Sequence, residues 1–213
     1  MIGPLAGKVM ERSALVRRGL RLSYATIGYN SLEAVASLTA GLIANSVSLV
    51  GFGADSLIEV AAGGVAQWRL RSDADDRRRE AAEGKAHRII GWSFLALAIY
   101  ITADSAHSLW QHDEPARSRF GMAVLALSVV VMPLLARAKR NVARQMESNA
   151  LEAEATQTSL CAYLSAIALV GVALNWLVGW WWADPVAALL MVPIIGKEAV
   201  EGIRGETHCD DGC

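Results

Sequence analysis

The sequence predicts an all-α polytopic membrane protein, a six-helix transmembrane bundle, and two observations carry that prediction. Of 213 residues, 54% are hydrophobic and 7 are Trp, with a mean hydropathy of +0.32; an ordinary soluble domain is roughly 45–50% apolar. The excess also falls into blocks close to the roughly 20 apolar residues that cross a hydrocarbon core as a helix. A backbone in lipid must satisfy its own hydrogen bonds, which leaves helices or a closed barrel.

A basic lead over residues 1–22 precedes the first block, 23–44. A cleaved signal peptide is a poor reading there, because Glu33 interrupts the would-be apolar core and the approach to it is long. The second block, 46–68, follows the short connection "ANS", and the third covers 88–110. The fourth, 119–137, contains Pro133, which is expected to kink or end its helix. The fifth is 155–179. The sixth, 182–203, has the shortest apolar run, Pro185 to Gly196, and puts Lys197, Glu198 and Glu201 at the interface. Residues 204–213 remain as a tail, so a membrane domain over 23–203 with no soluble C-terminal domain is expected.

Basic residues mark the cytoplasmic flanks of membrane spans. Lys8 to Arg21, Arg69 to Arg88, Arg137 to Arg144, and Lys197 with Arg204 account for 18 of the 20 Lys and Arg and fall on one side; Arg117 and Arg119 oppose them. Both termini are therefore expected in the cytoplasm, with the protein multi-pass in the cell membrane. The outer loops are then "ANS", "QHDEPARS" and "GWWWADP", and Trp180, Trp181 and Trp182 suit an interfacial belt. The formal net charge of −1 gives no footprint for nucleic acid. The acids within "RLRSDADDRRRE" also interrupt the basic run that a phosphate site needs.

Depth follows from a rise of about 1.5 Å per residue: Asp55 and Glu59 lie roughly 21 and 15 Å from the level of Arg69, and Glu33 roughly 18 Å from that of Arg21. Three acids thus meet near the midplane, where charges are costly and face a bundle interior or a water path. A bound cation or protons would offset them. Residues three or four apart share a helix face, which groups Asp55 with Glu59, Asn30 with Glu33, and Gln157 with Cys161, the last face extended a turn by Glu154. Carboxylate, amide and thiolate groups all coordinate divalent metals. The competing reading is that Asn30 and Gln157 make helix–helix hydrogen bonds, common for such residues in membranes, and that Cys161 is a small buried apolar group.

The runs "NSLEAVASLTAGLIANSVSLVGFGADSLIEV" and "NALEAEATQTSLCAYLSAIALVGVALNWLVGWWWADPVAALLM" resemble the membrane domain of the cation diffusion facilitator family of divalent-metal transporters. The resemblance implies that the second helix carries an acid, three residues and a second acid, which Asp55 and Glu59 match. The family's fifth helix completes a four-ligand site with His or Asp and, four residues on, Asp; here Gln157 and Cys161 stand in those places, and a thiolate favours softer ions. Glu33 and Asn30 would then supply further donors, as in a variant branch resembling the vesicular zinc-transporting relatives. The resemblance also implies export of a divalent transition metal from the cytoplasm, zinc or a neighbour such as cadmium, cobalt, iron or manganese, with proton exchange. It implies a homodimer, held here by helices or cytoplasmic loops. The metal is cargo, and no cofactor is expected.

The tail "GETHCDDGC" gathers His208, Cys209, Asp210, Asp211 and Cys213, where either metal capture or a solvated terminus fits. Disulfides are rare on a reducing cytoplasmic side. Asp104 and His107 share a face near the outer end of the third helix, as an ion-exit site or a hydrogen-bonded pair. Nothing sets a nucleophile beside a base, and no glycine-rich phosphate loop occurs, so an enzyme is not expected. The alternative to a transporter is a membrane sensor or accessory subunit that binds metal without moving it.

Overall fold

The computed structural model describes residues 4–71, 76–146 and 148–204. They form six helices: α1 Pro4–Ala44, α2 Val47–Arg71, α3 Asp76–Gln111, α4 Arg119–Met146, α5 Asn149–Val178 and α6 Ala183–Arg204. Four stretches, Val47–Val65, Arg88–Gln111, Arg119–Met146 and Leu151–Val178, are long and apolar enough to cross a membrane. α1 and α6 fall outside that set, and in α1 the reason is visible in the spacing. Ser23, Thr26, Asn30, Glu33 and Ser37 are all buried, and steps of three and four place them on one stripe. α1 therefore turns its polar stripe inward, while Leu32, Val35, Leu42 and Ile43 stay exposed on its outside.

The helices outrun the apolar blocks: α1 is continuous from Pro4 and α3 from Asp76, and α4 runs through Pro133 to Met146. Pro133 therefore does not end the fourth helix. A proline withholds one backbone donor, and membrane helices tolerate that where neighbouring groups and local adjustment satisfy the freed carbonyl. The fifth helix starts at Asn149 because Ser148 caps it: the Ser148 side chain accepts from Leu151 N, a preferred N-cap arrangement.

α2 is central, packing against α1, α3, α5 and α6; α4 bridges α1 and α5, and α3 lies along α6. Phe52, Leu49, Ile101, Leu125, Met132, Met191 and Ile195 fill the apolar core. Lipid gives no hydrophobic reason for helices to associate, so close packing and interhelical hydrogen bonds must hold them. Glycines permit close approaches between helices, two of them at α1–α2 and α5–α6. A Cβ on Gly53 would sit 2.8 Å from Leu38 N, and one on Gly171 would sit 2.4 Å from Ala187 Cβ. A methyl at either place would push α2 off α1 or α5 off α6.

Three loops, 45–46, 112–118 and 179–182, meet at one end of the bundle. Ala116 N donates to Ala44 O at 2.7 Å, Asn175 Nδ2 donates to Pro115 O at 2.9 Å, and the His112 and Trp181 rings stand 4.8 Å apart. Below them Asp184, at the start of α6, ties α6 to the α1–α2 turn. It accepts from Ser46 Oγ at 2.7 Å, from Ser48 N at 3.4 Å and from Ser48 Oγ.

Candidate metal centre

Asp55 and Glu59 stand one turn apart on α2, on the side facing α5, which presents Cys161 to them. One ligand atom from each lies within 4.8 Å of the other two, and the residues are 3%, 9% and 0% exposed. Ligands of a tetrahedral zinc-like ion, each about 2.0–2.3 Å from it, stand roughly 3.3–3.8 Å apart, so an inward movement of about an ångström closes the set. Ionised together, these groups carry more negative charge than a low-dielectric interior tolerates without a cation or protons. Asp55 Oδ2 has no hydrogen-bond partner among the described residues. A buried polar atom left in that condition calls for a ligand.

The first helix approaches from the other side. Asn30 Nδ2 donates to Glu59 Oε2 at 2.7 Å, which orients that carboxylate, while Asn30 Oδ1 has no partner among the described residues. Glu33 is differently placed. It accepts from Ser56 Oγ at 2.9 Å, from Ser128 Oγ and from Cys161 Sγ at 3.8 Å, and Tyr29 Oη lies 3.0 Å from Ser128 Oγ. Its two oxygens are taken up by neighbours, so it supports Cys161 where Asp55 and Glu59 face the open position. Gln157 lines two small cavities that also share Glu59.

All six residues singled out on α1, α2 and α5 thus surround one spot, although the cluster itself comprises Asp55, Glu59 and Cys161. His208, Cys209 and Cys213 lie outside the described residues. Asp104 accepts from Tyr100 Oη at 3.1 Å, one turn away, and no hydrogen bond joins it to His107 among the described residues.

The sequence reading missed several participants. Glu198, expected at the interface, lines the cavity beside Asp55 and Glu59, whereas Lys197 turns outward and pairs with Glu201 at 3.5 Å. Lys139, counted only as a topology signal, is 3% exposed. A signal for it existed: Leu125, Ser128, Met132, Ala136 and Lys139, all buried, follow one another at steps of three and four and so share a stripe. Ser128 on that stripe and Ser56 on α2 carried no comparable mark, since serines scatter through five of the six helices.

Apolar helices around a buried polar seam define a multi-pass membrane protein, and the acid pair with its thiol gives that seam the chemistry of a cation site. The family description "Cation efflux transmembrane domain" matches residues 23–205. The chain belongs to that family, the membrane domain of the cation diffusion facilitators. It is also similar to "Transmembrane protein 163" of Xenopus laevis, 28% identical over 141 residues, which are 63% of this chain and 48% of the relative. The chain therefore spans about half the length of the curated relative it matches.

Proposed function

We propose that this chain is a secondary transporter that exports a divalent transition metal of the zinc type from the cytoplasm, in exchange for protons. In this reading the bundle opens alternately to either side of the site made by Asp55, Glu59 and Cys161. The convergence of these three groups within 4.8 Å carries the reading, and membership of the cation efflux family supports a metal cation as cargo. Carboxylate and thiol ligands bind metal in their deprotonated forms and release protons as they do so, which supports protons as the counter-ion. The thiolate supports zinc and cadmium over magnesium or calcium.

The reading takes all six helices across the bilayer, α1 carrying its polar stripe inside. It places both ends on the cytoplasmic side, which the basic flanks support. It takes a homodimer as the working unit, held through helices or loops.

The test is zinc flux into proteoliposomes loaded with a metal-sensitive dye, with wild type, Asp55→Asn and Glu59→Gln compared at equal protein density. Saturable flux in wild type and its loss in both variants is the expected outcome. Flux undiminished in both variants would overturn the assignment of the site. Metal binding without flux in wild type would favour the sensor or accessory role instead.

A further inference from the structure

Below the acid cluster, toward the ends of α4 and α5 that the reading above places in the cytoplasm, a lysine is buried among polar groups. Lys139 Nζ lies 3.3 Å from Glu154 Oε2 and donates to Thr158 Oγ1 at 3.2 Å. The same Glu154 oxygen accepts from Ser23 Oγ at 2.6 Å, so one carboxylate fastens α1, α4 and α5 together. Glu154 precedes Cys161 by two helical turns, which puts the pair about 10 Å from the cluster along the helix axis.

The pair is joined to the cluster by space. Ser23, Lys139 and Glu154 line a polar cavity of about 30 Å³ together with Asn30, Glu59 and Gln157, room for one or two waters. Glu59 and Gln157 also line the smaller cavity at Asp55. Within the first cavity Asn30, 3% exposed, offers its unpartnered Oδ1, a neutral oxygen suited to a partly hydrated cation. A buried ion pair is a weak source of stability, since its desolvation offsets most of its attraction. Its position in the lining of a cavity that also reaches Glu59 suggests a different use.

We propose that Lys139 is a built-in competitor for the incoming metal. The divalent cation reaches Glu59 and Asp55 by displacing the Lys139 ammonium from Glu154, which serves as its first protein ligand. The ammonium is a point charge on a flexible four-carbon stem and swings toward the cytoplasmic water when displaced. A monovalent cation, with half the charge, wins that exchange less readily, so the pair screens for divalent ions before the cluster is reached. The inference rests on the metal-export reading and on the cytoplasmic placement of this end of the bundle.

Initial rates of zinc flux in proteoliposomes, measured across buffered zinc concentrations, test it with wild type, Glu154→Gln, Lys139→Gln and the double variant. Wild type must give saturable flux, or the export reading falls and takes this inference with it. Glu154→Gln leaves a buried cation in the path and is expected to raise the half-saturation concentration about tenfold. Lys139→Gln leaves a vacant carboxylate and is expected to lower it by a similar factor while slowing the maximal rate, because a cation held too well leaves slowly. The double variant, with no unpaired charge, is expected to return within about twofold of the wild-type half-saturation. A merely structural pair would shift both single variants the same way. Shifts of one sign in both, or unchanged curves beside a working wild type, overturn the proposal.

Should the single variants fail to reach the membrane, labelling of Cys161 by a charged methanethiosulfonate in a Cys209→Ser, Cys213→Ser background still decides. Labelling from the cytoplasmic side is expected to run faster in the double variant than in the same background without it, and equal rates overturn the proposal.

Discussion

Two buried aspartates on facing helices, Asp184 at 1% exposed and Asp55 at 3%, have opposite surroundings. Asp184 meets only donors, two serine hydroxyls and a backbone N–H from the α1–α2 turn. Asp55 meets another carboxylate and a thiol, and one of its oxygens has no partner among the described residues. Satisfied buried polar groups rigidify a fold, and unsatisfied ones cost it stability. Burial alone therefore does not mark a cation site; the sign of the neighbours does. By this measure Glu33, held by Ser56, Ser128 and Cys161, sides with Asp184.

The comparison breaks most easily at its extremes. Asp55→Asn and Glu59→Gln are each expected to cut zinc flux on the order of 100-fold without lowering the thermal unfolding temperature in detergent, since removing a buried charge eases the fold. Asp184→Ala should do the reverse: three donors lose their acceptor, at a cost of about 2–4 kcal/mol in stability. Zinc affinity of the folded fraction, read by calorimetry, should stay at the wild-type value. Unaltered melting with lost zinc binding in Asp184→Ala would invert the comparison.

Cys161→Ser is expected to move the cadmium-over-manganese preference toward manganese by about tenfold, because a hydroxyl is a poorer ligand for soft ions. Competition against a zinc-sensitive dye reads that shift. The smallest effect is expected from Glu33→Gln, a drop in flux of about threefold, as the amide keeps one acceptor for Ser56 or Ser128 but returns a donor to the other. Abolished flux in that variant would move Glu33 from support to ligand.

The acid pair and its thiol partner were legible because i, i+4 spacing on apolar helices leaves few faces to choose from. The helix ends were less legible. Apolar blocks end where the polar stretches begin, but Arg, Glu and Ala are all good helix formers, so α3 starts at Asp76 and α4 continues to Met146. Lys139 was obscured by a different conflict, in which one residue satisfies both the basic-flank rule and the buried stripe. The Asp184 tie needed three dimensions, since it joins residues 136 and 138 positions apart.

The hairpin of α1 and α2 bears on how the chain enters a bilayer. Its turn is tight: Asn45 takes a left-handed φ of 52°, Ser46 N donates to Gly41 O at 3.0 Å, and Ser46 Oγ accepts from Leu49 N at 3.3 Å, capping α2. A connection so short cannot leave one helix waiting in water while the other crosses. α1, with its stripe of Ser23, Thr26, Asn30, Glu33 and Ser37, is a poor candidate to partition into lipid by itself, whereas α2 has the composition to do so. In the reading that takes α1 across the bilayer, the more apolar helix acts as insertion partner to the polar one. The carboxylates of both helices are shielded from hydrocarbon during biogenesis only if the two enter as a pair.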